Sequence, residues 1–161
     1  MDDKFVRVFN LYKNDIYRLS YSYTKNISDS DDIVQNVFIK LYKKQELLTK
    51  KEEEIKKWLI RITINECKTI LLSSWKKKIT SLTDKEENIK SEITSNEILD
   101  AVLQLPKKYR IVTFLYYYEN YKIKEISEIL KISETNIQTR LQRARKQLKE
   151  ILKEAWSNEK L

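Results

Sequence analysis

Glycine and histidine are absent from this chain, and proline and cysteine occur once each. Tight hairpins and phosphate-cradling loops need glycine at positive φ. Its absence excludes β-sandwiches, P-loops and dinucleotide-binding turns, and an all-α fold is expected. Lack of histidine removes the commonest general base and metal ligand. The lone Cys67 can form neither an internal disulfide nor a zinc site. Among apolar neighbours it reads as a reduced, buried thiol. No apolar run approaches the roughly 18 residues of a membrane span. The opening stretch MDDKFVRVFN lacks the basic-then-apolar pattern of a secretion signal. These absences lead us to expect a cytoplasmic protein with no membrane insertion, cofactor, metal or catalytic centre.

The 161 residues present suit one ordinary domain or two small ones, and 41% of them are hydrophobic, enough for real cores. The formal net charge is +8. That is compatible with a polyanion partner, although a Lys-rich, Ile-rich composition fits an AT-rich genome equally well. Residues 1–78 are helix-patterned. Residues 79–95, ITSLTDKEENIKSEITS, are polar and locally acidic: Asp84, Glu86, Glu87 and Glu92 oppose only Lys85 and Lys90. This piece reads as a linker. Residues 96–161 are helix-patterned again, so two small helical domains joined by a polar linker are expected.

Apolar periodicity predicts helices over 3–24, 30–47, 52–76, 96–104, 107–118, 123–130 and 134–154. Phe5, Phe9, Tyr12, Ile16, Leu19 and Tyr23 carry the first. In the second, Asp31 and Asp32 fall in the first turn, where they favour the positive dipole end. Ile33, Val34, Val37, Phe38, Leu41 and Tyr42 are its expected core face.

The stretch ISETNIQTRLQRARKQL, residues 132–148, follows a short apolar-faced helix after about three residues. Two short helices so joined, the second polar and basic, describe a helix-turn-helix. Ser133 is a good N-cap. At about 100° per residue, Ile137, Leu141, Ala144 and Leu148 share roughly one 60° sector. Thr139, Gln142, Arg143 and Lys146 point the opposite way, flanked by Thr135, Asn136 and Gln138. These side chains suit base edges: Arg for guanine, Asn or Gln for adenine, Thr for a thymine methyl. Arg140, Arg145 and Lys149 lie laterally and suit phosphates. A solvated amphipathic helix is the plain alternative. Such helices usually carry more Glu, whereas residues 134–149 hold five basic residues and one acidic, Glu134.

A second polar row lies in WLIRITINECKTILLSSWKKK, residues 58–78. Leu59, Ile60, Ile62, Ile64, Cys67, Ile70 and Leu71 form a wide apolar face. Arg61, Asn65 and Lys68 follow i, i+4, i+7 on another, leading to Lys76, Lys77 and Lys78 beside Trp75. Aromatic and basic residues together suit opened or single-stranded DNA. A core helix with one wet edge and a lysine C-cap explains the same pattern. In DSDDIVQNVFIKLYKK, residues 29–44, Asp32, Gln35, Asn36, Ile39 and Lys43 share the polar side. Ile39 is apolar on that face, which hints at a protein contact.

Taken in order, SDDIVQNVFIKLYK, WLIRITIN, the polar linker, LPKKYRIVTFLYYYENYKIKEISEIL and ISETNIQTRLQRARKQL resemble an extracytoplasmic-function sigma factor of bacterial RNA polymerase, in the sigma-70 family. The resemblance spans about residues 5–152. It implies a region 2-like and a region 4-like domain and a protein that catalyses nothing itself. Such a protein binds core RNA polymerase, through the β′ clamp helices and the β flap, and recognises −35 and −10 elements in promoter DNA. It also helps melt the −10 DNA. An anti-sigma factor is a common further partner. Asp32, Gln35, Asn36 and Ile39 match the polymerase-docking helix, with Asn36 standing where the family usually has Glu. Asn65 matches the base-contacting Asn of the −10 reader. Arg61, Lys68, Lys76 and Lys77 are placed on backbone and flanking DNA, and Trp58 at a structural position. Gln138, Thr139, Gln142 and Arg143 match −35 reading positions, and Arg140 and Arg145 match backbone or structural arginines. Gln138 departs from a frequent Arg or Lys, and ETNI replaces a frequent V-G-T-V turn, which leaves the −35 sequence open.

Two other readings compete. A helix-turn-helix regulator acting without polymerase explains the C-terminal part but leaves residues 29–78 without a role. A helical adaptor with incidental charge predicts no salt-sensitive DNA binding.

Overall fold

The structure, a computed structural model, describes residues 3–80 and 97–159; the side chains of 74–80, 156, 158 and 159 are outside that description. Most of the expected 79–95 linker therefore lies outside the described residues. The chain divides into two units, Met1–Lys90 and Ser91–Leu161. Among the described residues all regular structure is helical.

Three helices build the first unit: α1 (Asp3–Thr24), α2 (Ile27–Lys43) and α3 (Glu52–Thr80). Each packs against the other two. Val8, Tyr12, Ile16 and Leu19 are buried along one side of α1, at the three- and four-residue spacing that keeps side chains on one helical face. They meet Ile33, Val37 and Leu41 of α2 and Ile55, Leu59, Ile60 and Ile64 of α3 in the core. Cys67 is a buried thiol, as its apolar setting suggested.

The chain turns out of α1 at Lys25, which has φ 50°. Asn120 and Lys131 take similar left-handed conformations, with φ 57° and 56°. A chain without glycine has to place side-chain-bearing residues where Gly is usual, at a steric cost of about 1–2 kcal/mol each.

The start of α2 differs from expectation. It begins at Ile27, not near 30, because Asn26 caps it: the Asn26 side chain accepts from the Asp29 backbone N–H at 2.9 Å. Ser30 Oγ then donates back to the Asn26 carbonyl at 2.6 Å. Asp29 is thus the acid of the first turn, and Asp31 and Asp32 lie further along. α2 also stops at Lys43, and a short 3-10 turn (Gln45–Thr49) replaces its expected last residues. Tyr42, expected in the core, is 52% exposed. Its ring instead meets Phe5 of α1 edge-on at 5.3 Å. The third helix starts where expected, with Glu52, Glu53 and Glu54 at its positive end.

The second unit contains α4 (Glu97–Gln104), α5 (Lys107–Thr113), a π-helical turn (Phe114–Tyr118), α6 (Ile123–Leu130) and α7 (Glu134–Glu159). The expected helix over 107–118 is therefore split in character, its last turn widened by a Glu119 N–H to Phe114 C=O bond at 3.2 Å. Leu105 and Tyr109 pack on Ala144, with Leu148 and Ile151 at the edge of this cluster. Arg110 is buried and donates to the Leu105 carbonyl at 3.1 Å. Burial lowers its pKa to about 10, so it remains a cation at neutral pH.

Candidate nucleic-acid interface

α6 and α7 form the expected helix-turn-helix. The Glu125 side chain accepts from the Lys122 backbone N–H at 3.0 Å, closing the start of α6. Lys131 takes the left-handed turn conformation and caps α6, with its N–H to the Ser127 carbonyl. Ser133 caps α7: its Oγ accepts from the Asn136 N–H at 3.1 Å. Ile137, Leu141 and Ala144 are buried and Leu148 is partly buried, so the apolar stripe joins α7 to its unit.

The other side of α7 is open. Asn136, Gln138, Gln142, Arg143 and Lys146 are exposed, and Thr139 and Arg140 are half-buried. Several of these side chains are already held. Arg140 Nε donates to Asn136 Oδ1 at 2.9 Å, using one of the two lone pairs of the oxygen that a bidentate grip on adenine would need. Thr139 Oγ1 donates to the Thr135 carbonyl at 3.0 Å, leaving its methyl for apolar contact. The Arg143 guanidinium, more than any other influence, holds the Tyr109 phenol below its ordinary pKa. Arg145 Nε donates to Tyr117 Oη at 2.6 Å. Its guanidinium carbon lies 5.7 Å from the ring centres of both Tyr116 and Tyr117.

These tyrosine partners are absent from the sequence-based site. The only signal for Tyr116 and Tyr117 was the YYY run at 116–118, placed beside α7 by the fold.

On the first unit the expected row is also exposed: Arg61, Asn65 and Lys68 stand on the outer side of α3. Lys76 and Lys77 continue the same helix, but their side chains lie outside the described residues. Thr69 Oγ1 donates to the Asn65 carbonyl at 3.0 Å, a backbone bond that leaves the Asn65 amide side chain outward. Trp58 is half-buried, with the Lys44 ammonium 5.9 Å from its ring.

Asp32, Gln35, Asn36 and Ile39 are all exposed on α2. Ile39 is 50% exposed and does not stand alone. With Gln35 it joins Phe5, Val6, Phe9, Phe38 and Tyr42 around a groove of about 530 Å³ between α1 and α2. Such an apolar patch, rimmed by polar residues, suits a protein contact better than nucleic acid. Lys40, beside Ile39, is ion-paired with Glu66, beside Asn65, so the two exposed rows of this unit are linked across α2 and α3.

No metal-ligating cluster and no helix long and apolar enough to cross a membrane occur among the described residues.

Known families match both units. Sigma-70 region 2 matches residues 8–77, and sigma-70 region 4 matches residues 95–148. The chain is 32% identical to the RNA polymerase sigma factor SigV of Bacillus subtilis (strain 168), over 84% of this chain and 82% of SigV. It is 28% identical to the ECF RNA polymerase sigma factor SigW of the same organism, over 94% of this chain and 90% of SigW. The fold is that of the sigma factor RpoE, solved in complex with the anti-sigma factor NepR from Bartonella quintana: TM-score 0.75 at 19% identity, covering 94% and 98% of the two chains. The chain belongs to the sigma-70 family, within its extracytoplasmic-function group.

Proposed function

We propose that this alternative sigma factor, which directs transcription initiation with RNA polymerase, divides the work between its two units. Asp32, Gln35, Asn36 and Ile39 dock the first unit on the polymerase β′ clamp helices, with the apolar groove beside Ile39 adding area. Arg61, Asn65 and Lys68 meet the −10 DNA as it opens, and Lys76 and Lys77 extend that contact. The second unit lays α7 in the major groove of the −35 element and contacts the β flap. Gln138, Gln142 and Arg143 face base edges, with the Thr139 methyl beside them. Asn136, Arg140 and Lys146 hold backbone.

The observation that carries this reading is the order of two family matches on two units, each with an exposed polar row on the matched helix. The physical logic follows. Each unit alone binds DNA weakly. Fixing both to one polymerase turns the second contact into an intramolecular event and multiplies their effects. The protein acts as a non-enzymatic factor in the cytoplasm, where the polymerase works. A protein of the anti-sigma class, such as the one bound to RpoE, is the proposed regulator.

Run-off transcription from fragmented genomic DNA of the source bacterium tests this, using purified core polymerase with and without the protein. Discrete new transcripts are expected, and aligning their upstream DNA gives both promoter elements. Absence of transcripts together with absence of core binding would overturn the reading in favour of a stand-alone DNA-binding regulator.

A further inference from the structure

We infer that Tyr117 is a positioning residue for Arg145, holding its guanidinium so that the terminal N–H groups meet a phosphate of the duplex lying against α7. The inference rests on the proposal that α7 binds duplex DNA, and it adds a residue outside the helix-turn-helix to that contact.

The geometry is specific. Arg145 sits about 70° around α7 from the apolar stripe, on the flank that also carries Gln138 and Lys149. It is exposed, yet its guanidinium is not loose. Nε–H is given to Tyr117 Oη at 2.6 Å, and the guanidinium carbon lies 5.7 Å from the centres of two rings. Tyr116, half-buried, meets Tyr117 edge-on at 4.9 Å and steadies it. One of five N–H groups is thus used, which leaves both terminal nitrogens with the fork that grips two oxygens of one phosphate.

The bond does little for the fold. Tyr117 is 49% exposed, and an exposed cation–ring contact contributes little stability. Its effect is on orientation. A long arginine side chain loses rotamer freedom when it binds, and a side chain already held loses less. The π-helical turn explains how Tyr117 gets there. Its Glu119–Phe114 bond adds a residue to the turn, and the tyrosines on it come to Arg145, 28 positions later in the chain. Such turns recur at functional sites.

The test measures binding of the full-length chain to a labelled random-sequence duplex of about 30 base pairs by fluorescence anisotropy over a series of KCl concentrations, because phosphate contacts are sequence-independent. Removing a phosphate contact by Arg145→Ala is expected to lower the slope of log K against log[salt] by about one. Tyr117→Phe keeps the ring and loses only the hydroxyl; it is expected to weaken binding about two- to tenfold with the slope retained. Tyr117→Phe added to Arg145→Ala should then change nothing further, and thermal melting of Tyr117→Phe should match wild type. Binding by Tyr117→Phe equal to wild type overturns the inference. So does an equal loss in the Arg145→Ala background, or a lowered melting point that accounts for the loss. Unchanged DNA binding with weakened core-polymerase binding assigns the pair to a protein contact instead. If the wild-type chain binds duplex with no salt dependence, the reading of α7 as a DNA helix fails. Steep wild-type binding untouched by Arg145→Ala fails the present inference alone.

Discussion

The polar faces of α3 and α7 are built differently, although both are rows of donors on a helix held by its apolar side. On α7, Arg140 is tied to Asn136 and Arg145 to Tyr117, and Arg143 bears on the Tyr109 phenol strongly enough to lower its pKa. The bonds around the α3 row stay at its edges: Thr69 to the Asn65 carbonyl, and Lys40 with Glu66. The difference fits the proposed targets. Duplex DNA presents phosphates at fixed spacing, and pre-set guanidiniums meet it with little ordering cost. An opening strand has no fixed shape, and exposed donors that can adjust suit it better.

The strongest way to separate the two faces is to remove one unit. Leu141 is 1% exposed beneath the α7 face. Leu141→Ala is expected to destabilise the second unit by about 2–5 kcal/mol through lost burial and the cavity left behind. Chemical denaturation should show an early transition, and −35-dependent binding should disappear while core-polymerase binding by the first unit is kept. Loss of both together would mean that the units do not work separately.

Two smaller truncations compare the rows directly. Asn65→Ala should reduce transcription from a cognate promoter and leave core binding intact. Arg143→Ala should erode the preference between −35 variants. Each removes a proposed base contact, and such a contact is worth about 1–3 kcal/mol of discrimination. Unchanged promoter output for the first, or retained −35 preference for the second, sinks that residue's assignment.

Much of this was legible in the sequence, for identifiable reasons. Phe5, Phe9, Tyr12, Ile16, Leu19 and Tyr23 repeat near helical spacing, and α1 runs where they put it, with Tyr12, Ile16, Leu19 and Tyr23 buried. Ser133 announced the start of α7 because its own hydroxyl makes the cap. α2 starts earlier than expected because the cap is Asn26, ahead of the two adjacent acids, Asp31 and Asp32, that suggested the first turn. Only the observed Asn26–Asp29 bond decides between them. Tyr42 followed the apolar pattern by chemistry but lies where α1 leaves the core open, and so it faces a groove. The exposed rows followed from periodicity. Their partners did not: Tyr117 and Arg145 are 28 positions apart, and no local pattern connects them.

The cap itself offers a gentler perturbation. Ser133→Ala leaves the Asn136 N–H without its side-chain acceptor and should cost about 1 kcal/mol of stability in the second unit. Thermal melting reads this as a small shift. DNA affinity should fall only slightly, because the apolar stripe of α7 is untouched. A fall as large as that of Arg143→Ala would mean that the first turn, with Asn136 and Gln138, carries more of the contact than the middle of the helix.

The smallest expected effect is a titration. The Arg143 guanidinium lowers the Tyr109 pKa, opposed by burial and aided by Lys108. A phenol with a folded pKa below its unfolded value favours the fold only when deprotonated. The contribution is full above the ordinary tyrosine pKa and is lost as pH falls through the folded value, so it is absent at neutral pH. Carbon NMR of labelled tyrosine should show the Tyr109 pKa rising in Arg143→Ala and unmoved in Gln142→Ala. A Tyr109 titration indifferent to Arg143 would show that the phenol does not hold that arginine. At that position α7 would then resemble the adjustable row on α3, and pre-set geometry would rest on Arg140 and Arg145 alone.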